Sequence, residues 1–373
     1  MVKRRGAFDI GSGATKLQVS DVTADGLIVK TLFGEERPCA FGADWLKSTD
    51  DCLSSTIQEK GIKTINDLKL IGDNLGVESY AVIATEVFRK AANGHIFLDK
   101  VRALGMKVTV ISQEMEAELG YVTAVAYGAN QGPHTCVAWD SGGGSFQIST
   151  LSSEEHSFSE HCSSSSGSSD ITLKENKLLM YMGAFGSGIA TATLIEELQG
   201  RQLSKVSSPN PVSLIDVERL IITLTNKMDE NIPDWLINCP QVTAIGGPNS
   251  IFQLACNVLT IMKRQSQTTE LIAVTDEIID GSRDPGREEC VEEIKVDSFT
   301  LSDVRTAIDE CVDRSDDYLK KFISFPNADP TTIIVPKLCL LYSVMKRTGI
   351  QKVKAVCCIG SCGGVLVTEK FYT

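Results

Sequence analysis

The chain has 373 residues, of which 42% are hydrophobic and 23% charged, and its formal net charge is −12. That length carries two domains with separate cores, and the acidic balance argues against sequence-independent nucleic-acid binding, which rests on Lys and Arg against phosphates. Twelve cysteines scattered over the whole length fit reduced, buried thiols of a cytoplasmic protein rather than a disulfide framework. Cys357, Cys358 and Cys362 cluster, but without the second pair or nearby histidine that a zinc site needs. The start, MVKRRGAFDIG, runs straight into a strand with no apolar signal region. No apolar run reaches the roughly 18 residues of a membrane span, so no membrane partner is expected.

In chain order, Gly6 to Ser20 reads as strand, tight turn, strand, because Ala7, Phe8 and Ile10 lead into glycines and Leu17 and Val19 then alternate with polar residues. Leu27 to Phe33 reads as a third strand. Asp51 to Lys60 and Ile65 to Leu75 read as helices, Tyr80 to Ala84 as a buried strand, and Glu86 to Ala92 as the start of a helix. Val108 to Ile111 is a short strand and Glu114 to Tyr127 a helix. A polar turn stretch from Gly128 to His134 marks a boundary, dividing the chain into residues 1–128 and 129–373, with the last residues free to pack back on the first part. Thr135 to Trp139 and Phe146 to Leu151 are strands, and Ser152 to Ser169 is a Ser-rich exposed loop. Gly183 to Leu198 runs from a glycine turn into a helix. Val212 to Met228 and Val304 to Phe322 are helical. Val242 to Ile245 is a strand entering Gly246-Gly247-Pro248-Asn249-Ser250, with a helix after it. Leu271 to Lys295 reads as irregular, Lys337 to Lys346 as a helix, and Val353 to Ile359 as a last strand closed by Gly360-Ser-Cys-Gly-Gly364. Alternating strands and helices predict an α/β protein, and the recurrence of a strand followed by a glycine loop predicts a duplicated domain.

Two of these loops carry chemistry: Asp9-Ile-Gly-Ser-Gly13 and Asp140-Ser-Gly-Gly-Gly-Ser145. Glycines admit positive φ and let backbone N–H groups approach phosphate oxygens. An Asp at the strand end can hold Mg²⁺ or another divalent cation, directly or through water, and Ser12 and Ser145 add hydroxyl donors. The pair predicts that a phosphate chain is held between two loops, one from each half.

The pair resembles the superfamily of actins, sugar kinases and heat-shock ATPases, which implies two ribonuclease H-like domains facing a central cleft. Within it, four ordered stretches resemble the exopolyphosphatase/guanosine pentaphosphate phosphatase (Ppx/GppA) family. Ile83-Ala-Thr-Glu-Val-Phe-Arg-Lys-Ala-Ala-Asn93 is similar to its Ala-Thr-x-x-x-Arg-x-Ala-x-Asn stretch. Val110-Ile-Ser-Gln-Glu-Met-Glu-Ala-Glu-Leu119 is similar to its Ile-Ser-Gly-x-x-Glu-Ala-x-Leu stretch. Asp140 to Ser145 matches its Asp-x-Gly-Gly-Gly-Ser loop, and Ile334-Val-Pro-Lys337 resembles the start of its late helix.

The resemblance implies a general base at Glu116, an arginine on the terminal phosphate at Arg89, and metal-binding acids at Asp9 and Asp140. Phosphate contacts would then come from the loop residues Gly11, Ser12, Gly13, Gly142, Gly143, Gly144, Ser145, Gly246 and Gly247, and, by a resemblance to the first phosphate loop of actins, from Lys16. The implied reaction is metal-assisted hydrolysis of a terminal phosphoanhydride in a small phosphorylated substrate, polyphosphate or a nucleotide; a homodimer stays open.

The chain departs from the family at three places. Its first loop reads Gly11-Ser-Gly-Ala14 where the family has Gly-Ser-Asn-Ser. Gln147 stands where a family glutamate helps to hold metal and water. Gly360-Ser-Cys-Gly-Gly364 differs from Gly-Leu-Arg-Glu-Gly. Asp9-x-Gly-Ser-Gly-x-x-Lys16 also resembles the first phosphate loop of actins, so an actin-like or kinase-like ATPase is an alternative. The loss of charge at Gln147 leaves a third, a non-catalytic sensor of a phosphorylated ligand.

Overall fold

The computed structural model describes residues 2–127, 135–152, 177–206, 208–277, 294–323 and 330–373. The first sheet begins with a hairpin of β1 (Val2–Ile10) and β2 (Ala14–Thr23), extended by the antiparallel β3 (Ile28–Pro38). α1 (Phe41–Leu46) and α2 (Ser55–Asn74) follow, then β4 (Ser79–Ala84), α3 (Glu86–Lys90), α4 (Gly94–Arg102) and β5 (Lys107–Val110). β4 lies parallel to β1 and β5 parallel to β4, giving the order β3-β2-β1-β4-β5. Central parallel strands are covered on both faces, which is why Gly6 to Ile10 and Ala81 to Ala84 are buried residue after residue.

Leading out of the first sheet, α5 (Gln113–Tyr127) connects to the second. That sheet is built from β6 (Val137–Ser141), β7 (Phe146–Leu151) and β8 (Leu178–Gly183), followed by α6 (Ser187–Ala192), α7 (Leu214–Asn226), β9 (Val242–Gly246) and α8 (Ile251–Glu277). β10 (Ser298–Thr300), α9 (Leu301–Cys311), α10 (Asp316–Leu319), α11 (Ile334–Thr348), β11 (Lys352–Cys357) and α12 (Cys362–Val367) complete the chain. The order β10-β11-β9-β6-β7-β8 repeats the first sheet with one strand added at an edge: β6 and β7 form the hairpin, β8 extends it, and β9 and β11 lie parallel beside β6. The fold is therefore α/β with two halves of like topology, as the recurring strand–loop units predicted, in the ribonuclease H-like arrangement that the superfamily resemblance implied.

Each sheet has its own core, one around Phe8, Phe41 and Phe97, the other around Trp139, Phe146 and Phe252. α12 lies against the first sheet, packing Cys362, Val365 and Leu366 on Ala7, Val22 and Ile83. The ten cysteines among the described residues are unpaired thiols, and no helix among these residues is long and apolar enough to cross a membrane.

Several sequence expectations need correction. The separate helices at 51–60 and 65–75 are one helix, α2, capped where Ser54 accepts from the Ile57 N–H at 3.2 Å. Gly61 does not break it, because a Cβ there would lie 2.5 Å from Phe41 Cζ, so the aromatic core needs the bare backbone. α1 and α4 were not anticipated; α4 packs Phe97, Leu98 and Val101 into the core. Residues 271–277, expected to be irregular, continue α8. α11 begins at Ile334 rather than Lys337, with Pro336 in the first turn, where its missing N–H leaves no helical bond unmade. The proposed boundary at 128–134, most of the Ser-rich loop 152–169, and 278–293 lie outside the described residues.

Candidate active site

The two Asp-Gly loops are the tips of equivalent hairpins. In the first, the Gly11 N–H donates to Ala14 O at 2.9 Å; in the second, the Gly142 N–H donates to Ser145 O at 2.9 Å. The registers place Lys16 across from Asp9 and Gln147 across from Asp140. Each tip is fastened by the start of a helix: the Gly42 N–H donates to Ser12 O at 2.7 Å, and the Gly188 N–H to Gly143 O at 2.8 Å. The tips meet closely, since a Cβ on Gly143 would lie 3.3 Å from Ser12 Cβ. A side chain at Gly143 would need Ser12 to yield by a few tenths of an ångström.

Beside them opens a cleft of about 380 Å³, lined by both tips, by Gly246 and Gly247, and by the carboxylates of Asp9, Glu36, Glu86, Glu116 and Asp140. Every residue picked out from the sequence lines it except Arg89. Arg89 stands behind the wall. Its Nη1 donates to Ile111 O at 2.6 Å and lies 2.9 Å from Glu116 Oε2.

Glu116 sits in the first turn of α5, its side chain 13% exposed. Burial pushes its carboxyl up to about 8, even though Arg89 beside it favours the charged form. Burial likewise pushes Asp140 up to about 6; Lys16 opposes that rise and Asp9 adds to it. Lys16 Nζ donates to Asp9 Oδ2 at 3.1 Å. Burial works against the Lys16 ammonium, but the charges of Asp9, Glu36 and Asp140 more than offset it and hold it protonated well above the ordinary lysine range. Gln147 is buried, and its Nε2 donates to Ser145 Oγ at 2.9 Å, so it braces the second tip.

Sequence reasoning missed three contributors. Ser361 joins the two aspartates: its hydroxyl donates to Asp140 Oδ2 at 3.3 Å, and its N–H lies 3.5 Å from Asp9 Oδ2. The signal was the Gly360-Ser361 pair. Gly360 has φ +52°, and a Cβ there would lie 2.5 Å from Asp9 Oδ2 and 2.6 Å from Lys16 Nζ. Glu36, at the end of β3, backs onto Gly247. Lys337, in the first turn of α11, lines the cleft.

These residues suit a divalent cation that takes few protein ligands. Among the described residues no three His, Cys, Asp or Glu side chains converge as a cage. Asp9 and Asp140 instead offer two carboxylates, and burial, with a smaller push from the Asp9 charge, holds Asp140 above its ordinary range. Mg²⁺ commonly takes one or two carboxylates, keeps several waters and accepts substrate phosphates.

Residues 19–174 match the model of the Ppx/GppA phosphatase family, which bears out the resemblance read from the sequence. No curated protein matches the chain. Among solved structures, a Ppx/GppA family member from Aquifex aeolicus is 18% identical with a TM-score of 0.61, the match covering 98% of this chain and 97% of that one. An exopolyphosphatase from Cytophaga hutchinsonii is 16% identical with a TM-score of 0.62, covering 99% and 98%. At these identities the likeness establishes a shared fold, end to end.

Proposed function

We propose that this protein, of Ppx/GppA phosphatase type, hydrolyses a terminal phosphoanhydride of inorganic polyphosphate or of a guanosine polyphosphate. The observation that carries the reading is the placement of Glu116, a buried carboxylate with its own arginine, in the same cleft as two facing Asp-Gly hairpins. Two phosphate loops alone would suit any nucleotide-binding protein. A carboxylate facing them is what hydrolysis adds, because water must be oriented and relieved of a proton.

In this reading Glu116 accepts the proton of the attacking water. Arg89 is a positioning residue: it holds Glu116 and biases it toward the charged form that a base requires. The N–H groups of Gly11 to Gly13, Gly142 to Ser145 and Gly246 to Gly247 offer donors to phosphoryl oxygens as charge redistributes. Gln147 fixes the second tip through Ser145. Asp9 and Asp140, linked through Ser361, would hold Mg²⁺, which when bound would neutralise charge on the phosphates.

A phosphate-release assay with Mg²⁺ over short polyphosphate, pppGpp, ATP and GTP tests the proposal. Release from polyphosphate or pppGpp that collapses in Glu116→Gln is the expected result. Exclusive turnover of ATP with dependence on Lys16 would replace the reading by an actin-like ATPase. Tight binding with no release from any substrate would make the protein a sensor.

A further inference from the structure

The cleft poses an electrostatic problem for a polyanion. Its charged lining consists of five carboxylates, Asp9, Glu36, Glu86, Glu116 and Asp140, against two cations, Lys16 and Lys337. Lys16 is committed to Asp9. Lys337 is different. It is 8% exposed, its Nζ donates to the backbone carbonyl of Asn249, and no ion pair of this ammonium is found among the described residues. A buried ammonium held by one neutral carbonyl keeps two N–H donors free and goes without the partner that normally accompanies a buried charge. Beside it, Asn249 Oδ1 is also buried and without a hydrogen-bond partner. The unused donors of Lys337 thus lie at the cleft wall formed by the β9–α8 loop and the start of α11.

The position has a direction. The charges near enough to act on Glu116 are Arg89, Asp140 and Asp9. Those acting on Lys337 are Glu36 and Lys16. In the first sheet Glu36 lies on the edge strand β3, Asp9 on the central β1, and α5 with Glu116 follows the other edge strand β5. Glu36 backs onto Gly247, two residues from the Asn249 carbonyl that Lys337 holds, so Lys337 lies toward one edge and Glu116 toward the other. In-line displacement puts the attacking water on one side of the transferred phosphoryl group and the leaving oxygen on the other.

We propose that Lys337, with the Asn249 loop, forms the subsite for the leaving-group phosphate, so that the protein recognises a phosphate on both sides of the bond it breaks. This rests on the hydrolase reading for its direction, but the anion subsite itself does not. In the reaction, water adds to the terminal phosphorus and gives its proton to Glu116. The bond from that phosphorus to the bridging oxygen breaks, and the electron pair stays on the departing phosphate, where the Lys337 ammonium meets the new charge. Burial holds Lys337 down at about 8, so the subsite is cationic at neutral pH and fades above it.

The test compares wild type with Lys337→Met, Lys337→Gln and Lys337→Arg, each checked for a native melting transition. Calorimetry with imidodiphosphate and Mg²⁺ should show roughly 10–100-fold weaker binding in the Met and Gln variants, the worth of a charge-assisted hydrogen bond, with recovery in Arg. The kcat/KM for tripolyphosphate should fall in parallel. The kcat/KM for p-nitrophenyl phosphate, whose leaving group carries no phosphate, should fall less than that for tripolyphosphate; an equal fall for both would overturn the subsite. Wild-type affinity for imidodiphosphate in both neutral variants would overturn the subsite and leave the hydrolase reading intact. Wild-type binding that needs Lys337, without phosphate release from any substrate, would sink the hydrolase reading and leave the subsite standing. Absence of any imidodiphosphate binding by wild type would overturn the subsite.

Discussion

Ser361 donates its hydroxyl to Asp140 at 3.3 Å from a segment 221 residues further along the chain. The same residue's N–H lies 3.5 Å from Asp9 Oδ2, so one serine at the entry to α12 couples the acids of both halves. The hydrogen bond favours the charged form of Asp140. Ser361→Ala should therefore raise the Asp140 pKa and weaken cation binding. Hydrogen bonds to charged groups are worth about 1.5–3 kcal/mol, so the Mg²⁺ concentration for half-maximal phosphate release should rise roughly tenfold or more. An unchanged Mg²⁺ requirement would remove Ser361 from the site.

Glu116→Gln should lower phosphate release on the order of 10²-fold or more, as loss of a general base does. With its carboxyl near 8, the free enzyme holds Glu116 largely protonated at neutral pH, so kcat/KM should climb as pH rises toward 8 and turn down above it as Lys337 loses its charge. Stability should run the other way. A folded-state value above the ordinary 4.5 means that the folded protein binds this proton more tightly, so the contribution is full below about 4.5 and is lost as pH rises through about 8. Thermal melts of wild type against Glu116→Gln between pH 5 and pH 9 should show the variant gaining relative stability with pH; parallel curves would contradict the assignment.

Arg89→Met removes the cation that opposes the upward push of burial on the Glu116 carboxyl. The rising limb of the pH profile should move to higher pH, and a move of one pH unit should cost about tenfold in rate at neutral pH. A loss that is uniform across pH would instead mean that Arg89 contacts substrate directly.

Gln147→Glu places a carboxylate across from Asp140. Adding charge to a cation site raises its affinity, so Mg²⁺ activation should move to lower concentration, about tenfold. In the absence of metal, the buried extra charge should cost stability, about 1–3 kcal/mol. Denaturation with and without Mg²⁺ separates the two effects, and an Mg²⁺ midpoint that does not fall would show that position 147 does not face the cation.

Gly364→Ala tests how α12 is seated. A Cβ at Gly364 would lie 2.5 Å from Leu119 O, and its N–H donates to Thr123 Oγ1 at 2.8 Å. Overpacking of this kind costs about 1–3 kcal/mol. The melting temperature should fall, and because α12 follows Ser361 directly, Mg²⁺ activation should weaken with it. A wild-type melt would show that the helix can shift freely.

The legible parts of the site were the local ones. A strand, a glycine turn and a strand lie within fifteen residues at Asp9 and again at Asp140, so pattern alone located both tips and predicted the duplicated fold. Glu116 could be named only by resemblance, because an acidic helix start is unremarkable in isolation; what distinguishes it is burial against Arg89, which no spacing reports. Glu36 and Lys337 come from segments brought together by the packing of β3 and α11, and their residue types carry no local signature of a cleft; Ser361, at the start of α12, was marked only by the Gly360 beside it. That α2 is one helix was hidden for a related reason: the aromatic rings packed against Gly61 in its middle, Phe41 and Phe97, lie 20 and 36 positions away.

The matching hairpins differ in one respect that reaches beyond catalysis. Across from Asp9 stands Lys16; across from Asp140 stands Gln147. The first half therefore carries a tethered counterion and can neutralise its acid from its own covalent chain, whatever the solvent contains. The second half must borrow positive charge from Lys16 or from solution. Duplication supplied two copies of one device, and a single position has made one copy self-sufficient and the other dependent on the ionic medium around it.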